Sequence, residues 1–64
     1  MRRPNIGDRV WGGDPGSAWV SRPCPVLRLN RLTVTVGIHW DTVELRWFIT
    51  ERIPYEQIKG VEPA

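Results

Sequence analysis

From residue 32 to residue 40 every even position is apolar (Leu32, Val34, Val36, Ile38 and Trp40), while the odd positions hold Thr33, Thr35, Gly37 and His39. A period of two predicts a strand with one buried face. Before this run the apolar residues fall on odd positions, Leu27 and Leu29; after it they are odd again, at Val43, Leu45, Trp47 and Ile49. Each change of parity predicts a reversal, so residues 25–50 read as three consecutive antiparallel strands. With reversals centred on Asn30-Arg31 and Asp41-Thr42, Leu29 faces Leu32, Leu27 faces Val34, Trp40 faces Val43, Ile38 faces Leu45 and Val36 faces Trp47, all on one face. Asn30 and Asp41 suit the positive φ of a two-residue hairpin turn, whereas Arg31 and β-branched Thr42 do not. Four-residue loops on the same centres keep that register.

The flanks divide into shorter units. Residues 1–5 form a basic lead containing Arg2, Arg3 and Pro4 and are expected to be flexible; residues 6–62 form the folded domain. Residues 6–11 are expected as the first strand, with Ile6 and Val10 in the core. Residues 12–17 carry every turn signal and residues 18–20 resume extended structure. Pro23 and Pro25 around Cys24 predict an edge or a bend. After the meander, residues 51–58 start as strand and turn helical for one turn behind Pro54, and residues 59–62 close the sheet as a last short strand.

Sixty-four residues make one domain with a thin core. Marginal stability, or support from a partner, is the expectation for a monomer or weak homodimer. The single Cys24 cannot form an internal disulfide, which fits a reducing, cytoplasmic setting. Neither a signal-peptide pattern nor the ~20 apolar residues of a membrane span is present, so no membrane role is expected. Net charge is +2 with a pI near 9.3. Eight of the nine basic residues are Arg, the side chain that contacts phosphate or carboxylate in bidentate fashion and stacks on planar groups.

Five short strands, a Gly-rich loop after the first, a three-strand meander and one helical turn before the last strand resemble the SH3-like barrel plan of KOW and Tudor modules. The resemblance is carried by Gly7-Asp8-Arg9-Val10, by the hairpin of residues 26–36, and by Ile53-Pro54-Tyr55 with Ile58-Lys59-Gly60-Val61. It implies an all-β, five-stranded barrel. Gly7-Asp8-Arg9-Val10 followed by Gly16-Ser17-Ala18-Trp19 is also similar to the start of the type II dihydrofolate reductases, small SH3-like barrels that work as tetramers. Their Val-Gln-Ile-Tyr active-site run has no counterpart here, because Tyr55-Glu56-Gln57-Ile58 differs in order.

Candidate chemistry points to binding. One His, one Cys and scattered carboxylates supply neither a catalytic constellation nor a metal-ligand set, so no enzyme activity, cofactor or metal is expected. His39 is placed on the outer face opposite Glu44. Phe48 is outward by parity, opposite Thr35, and Arg46 lies across from an open Gly37. With Arg22, Arg28 and Arg31 near the first turn, these residues make a candidate nucleic-acid face in which Arg contacts phosphate and Phe48 stacks on bases. Trp11, Trp19 and Tyr55 are the second set. In Tudor-like modules such aromatics form cages for methylated side chains; otherwise they cap the ends of a small barrel or anchor a protein partner. The second functional reading is therefore a protein-interaction module, of the kind that serves phages or mobile elements as an accessory factor.

Overall fold

The computed structural model describes residues 3–12 and 22–64. It is all-β. Strands β1 (Arg9–Gly12), β2 (Cys24–Leu29), β3 (Thr33–Asp41) and β4 (Arg46–Pro54) are followed by a 3-10 turn at Tyr55–Gln57 and by β5 (Ile58–Glu62). The strands form one antiparallel sheet in the order β4-β3-β2-β1-β5. Its edges, β4 and β5, are not hydrogen-bonded to each other, so the sheet is not closed. It is nevertheless curled. Ile53 from one edge and Ile58 from the other join Val10, Cys24, Val26, Val34 and Val36 in a single buried cluster. The single 3-10 turn behind Pro54 links those edges directly, as the Pro position predicts. The expected segment at residues 18–20, and most of the loop before it, lie outside the described residues.

Strand β2 is the corner. Its first residues pair with β1, Cys24 with Val10 and Pro25 with Arg9, and its later residues pair with β3, Val26 with Val36, Arg28 with Thr35 and Leu29 with Val34. Pro25, which lacks a backbone donor, sits where β2 has only β1 as a ladder partner; a proline inside an otherwise central strand is tolerated for that reason. The register shifts between Val26 and Arg28. This bulge at Leu27 moves the core face from even to odd positions. Cys24 and Val26 are buried, whereas Leu27 is only half-buried and Leu29 stands exposed at the rim. The expected inward pair of Leu27 and Val34 is replaced by Leu29 and Val34.

The β3–β4 hairpin departs further from the expected register. Val34 pairs with Ile53, Thr35 with Arg52, Val36 with Glu51 and Gly37 with Thr50, and past an irregularity at His39 and Ile49 the ladder ends in Trp40 with Trp47 and Asp41 with Arg46. The reversal occupies residues 42–45 rather than centring on Asp41-Thr42. Asp41 opens it: its Oδ1 accepts hydrogen bonds from the backbone N–H groups of Val43 (2.8 Å) and Glu44 (3.2 Å). An acidic side chain at the position before a turn stabilises it in this way. Val43 and Leu45, expected inward, lie on the turn and are exposed. Ile49 and Trp40, also expected inward, are exposed beyond the reach of the core.

The start of the chain is tied down by Asp8. Its buried carboxylate accepts from the Asn5 N–H (2.9 Å) through Oδ2 and from the Ala64 N–H (3.1 Å) through Oδ1. Its carbonyl accepts from Val26 N–H, and Gly7 N–H donates to the Val26 carbonyl. One side chain thus joins the N-terminal turn to the last residues, beside a backbone link to β2. Ile6 is at that turn, exposed, rather than in a strand facing the core. Pro4 is buried, so residues 3–5 pack against the domain.

Candidate functional site

Alternation along β3 puts Val34 and Val36 on the core face and Thr33, Thr35 and Gly37 on the opposite, outer face. Across the sheet, Arg28 of β2 and Arg52 of β4 are the direct partners of Thr35 on its two sides. Their neighbours Leu29 and Ile53 stand opposite Val34, so both arginines are on the outer face with Thr35. With strands ~4.8 Å apart, the two arginine backbones lie ~10 Å from one another. Among the described residues neither has a salt-bridge partner; the ion pairs there are Arg9 with Glu62 (3.9 Å) and Arg46 with Glu44 (2.7 Å).

One pleat repeat along β3, ~7 Å away, the indole of Trp47 lies over Gly37. A β-carbon at Gly37 would fall 2.5 Å from ring atoms Cδ2 and Cε3 of Trp47. The open position expected opposite Arg46 is therefore filled by an aromatic ring. Trp40 packs edge-to-face on Trp47, centroids 5.3 Å apart. The outer face of β2–β4 thus carries, in sequence along the sheet, an Arg-Thr-Arg row and then a pair of indoles.

In the opposite direction along β3, the same face ends in a groove. Asn30 Nδ2 donates to the hydroxyls of Thr33 and Thr35, both at 3.0 Å, and so holds the first turn against the strand. Beyond it Leu32, Thr33, Pro54 and Tyr55 wall a groove of ≈ 500 Å³, with Arg3, Arg31 and Glu56 at its rim. The Tyr55 hydroxyl donates to the Asn30 carbonyl (2.9 Å) and its backbone N–H to the Leu32 carbonyl (3.2 Å). The Arg3 guanidinium sits 4.9 Å from the centre of the Tyr55 ring.

The candidate residues are thereby redistributed. Arg28 and Arg31 are both exposed at the groove end of the sheet. Arg46 faces Asp41 and is paired with Glu44, about 20 Å away along the hairpin. Phe48 is exposed near Arg46 and meets His39 edge-to-face, centroids 4.6 Å apart; His39 does not face Glu44. Arg22 is exposed at the bend before β2. Trp11 lies over Gly60, its partner across β1 and β5, and Tyr55 stands at the groove. Trp19 lies outside the described residues. Arg52 belongs to the face through the hairpin register, whereas the two indoles, expected on the core face, reach the outer one because the ladder is irregular around His39 and Ile49.

Cys24 is buried, and its thiol donates weakly to the Arg22 carbonyl at 3.5 Å. Burial pushes its pKa up, with the Arg22 charge opposing in part. That makes it an inert core thiol. Among the described residues no group of three or more His, Cys, Asp or Glu is placed to hold a metal ion, and no helix is long and apolar enough to cross a membrane. No family model, curated protein or solved structure matches the chain.

Proposed function

We propose that this chain is a non-catalytic, cytoplasmic nucleic-acid-binding module, an SH3-like barrel left open between β4 and β5, acting through the outer face of β2–β4. The observation that carries the reading is the row in which Arg28 and Arg52 flank Thr35, with Trp47 and Trp40 beside it. Two guanidinium groups without an ion pair among the described residues supply phosphate contacts, and the exposed ring of Trp40 supplies base-stacking surface. The core thiol of Cys24 accords with a reducing compartment.

The test is an amide NMR titration with mixed-sequence DNA and RNA oligomers at low and then moderate salt. Shifts centred on Arg28, Thr35, Trp47 and Arg52 that fade as salt rises are the expected result. An unmoved spectrum at low salt overturns the reading. The second reading, a protein-interaction module, is favoured by the exposed Val43, Leu45, Phe48 and Ile49 at the far end of the hairpin. It predicts binding that survives high salt and maps to those residues instead.

A further inference from the structure

We infer that the nucleic acid is single-stranded and that the Tyr55 groove receives one unpaired base, an inference that rests on the binding reading above. Three features of the groove lead there. Its walls, Leu32, Pro54 and the Tyr55 ring, are apolar or planar, and its ≈ 500 Å³ falls in the range of about 300–1,000 Å³ typical of sites for small organic ligands. Tyr55 has its hydroxyl and its backbone N–H already engaged by Asn30 and Leu32, so the ring is held in place before any ligand arrives. The Arg3 guanidinium sits over that ring, 4.9 Å from its centre, and marks the place that a nucleobase stacking on Tyr55 would take over from it.

The charges agree. Arg3 and Arg31 at the rim outnumber Glu56, which suits a ligand whose backbone is anionic and whose inserted part is flat and weakly polar. Position agrees as well. Thr33 and Pro54, which wall the groove, are register partners two residues along β3 and β4 from Thr35 and Arg52. A strand whose phosphates lie on Arg28 and Arg52 therefore reaches the groove within ~7 Å. In a duplex the bases are stacked and paired, and none can enter; only an unpaired base presents its flat face to a side chain. Leu32, 73% exposed at the lip, is an apolar residue with no role in the core that a base entering the groove would cover.

The test is fluorescence anisotropy at low salt with a labelled ten-nucleotide single strand, the duplex of the same sequence, and the same single strand with abasic sites in place of its central bases. The proteins are wild type, the Arg28→Ala/Arg52→Ala double variant, and Leu32→Ser, an exposed and charge-neutral substitution that leaves the core intact. The single strand is expected to bind at least tenfold more tightly than the duplex. Abasic substitution should weaken single-strand binding about fivefold or more, and Leu32→Ser, which changes no charge, should do the same while leaving duplex binding nearly unchanged. Equal affinity for single strand and duplex, or an abasic strand that binds as well as the intact one, overturns the groove assignment. The broader reading survives that result if Arg28→Ala/Arg52→Ala still weakens binding. Absence of binding to every probe overturns both.

Discussion

The indole of Trp47 lies flat against the backbone of Gly37, on a neighbouring strand, closely enough that a methyl group at residue 37 would sit 2.5 Å from the ring. Trp11 lies over Gly60 in the same manner at the other edge of the sheet. In each case a large aromatic side chain covers backbone that glycine leaves bare, and the protein thereby protects two edge pairings that its small core does not reach.

Gly37→Ala must displace the Trp47 indole. The ring is on an edge strand and can swing outward, so the expected cost is about 1–3 kcal/mol, read by urea denaturation with tryptophan fluorescence. Gly12→Ala should be worse. There φ is +136°, and the added carbon meets backbone atoms, including Lys59 N at 2.6 Å, which cannot rotate away. A loss of at least about 3 kcal/mol is expected, enough to leave much of this small domain unfolded by circular dichroism. Equal effects at the two positions would mean that the indole is as immobile as the backbone.

Leu45 closes the β3–β4 turn with φ of +56° and its side chain is 69% exposed. Leucine is strained there and packs little. Leu45→Gly should therefore raise stability, by about 0.5–1 kcal/mol after the extra entropy of the unfolded glycine is counted. At this chain length each 1 kcal/mol moves the melting temperature by about 4–8 °C. A lower melting temperature would show that Leu45 makes contacts that outweigh the strain.

Burial raises the Cys24 pKa above its ordinary value of 9.0. The folded thiol holds its proton where the unfolded one has lost it, so its contribution to stability is complete below pH ~9 and declines as pH climbs from the unfolded pKa toward the folded one. Urea midpoints of wild type and Cys24→Ala measured from pH 7 to pH 10.5 should diverge least at the alkaline end. Alkylation by iodoacetamide at pH 8 should be slow in the native protein and fast in urea.

Among the described residues Arg28 and Arg52 have no ion-pair partner, whereas Arg46 is held by Glu44. If phosphate is the ligand, Arg28→Ala and Arg52→Ala should each reduce the slope of log affinity against log salt by about 1, and Arg46→Ala should leave it unchanged. A reduced slope for Arg46→Ala alone would move the interface to the far end of the hairpin.

Local chemistry in the chain determined which segments are strands in the described meander, that Val34 and Val36 face the core, that Pro54 ends β4 and starts a single helical turn, and that a short strand follows. Each depends on a residue's own type or its nearest neighbours. Register is another matter. The pleat repeats every two residues, so sliding β4 along β3 by an even number of positions returns every side chain to the same face. Alternation is blind to that slide. The hairpin sits four positions from the expected pairing, with Val36 facing Glu51 instead of Trp47 and Asp41 opening the turn instead of standing at its centre. That shift alone brings Arg52, rather than Phe48, opposite Thr35. The bulge at Leu27 similarly decides that Cys24 and Val26 fill the core, since adjacent apolar residues 26 and 27 satisfy either parity. Tertiary packing made those choices, because only the assembled sheet compares the burial of Ile53 and Ile58 with the alternatives; the candidate binding face follows from them.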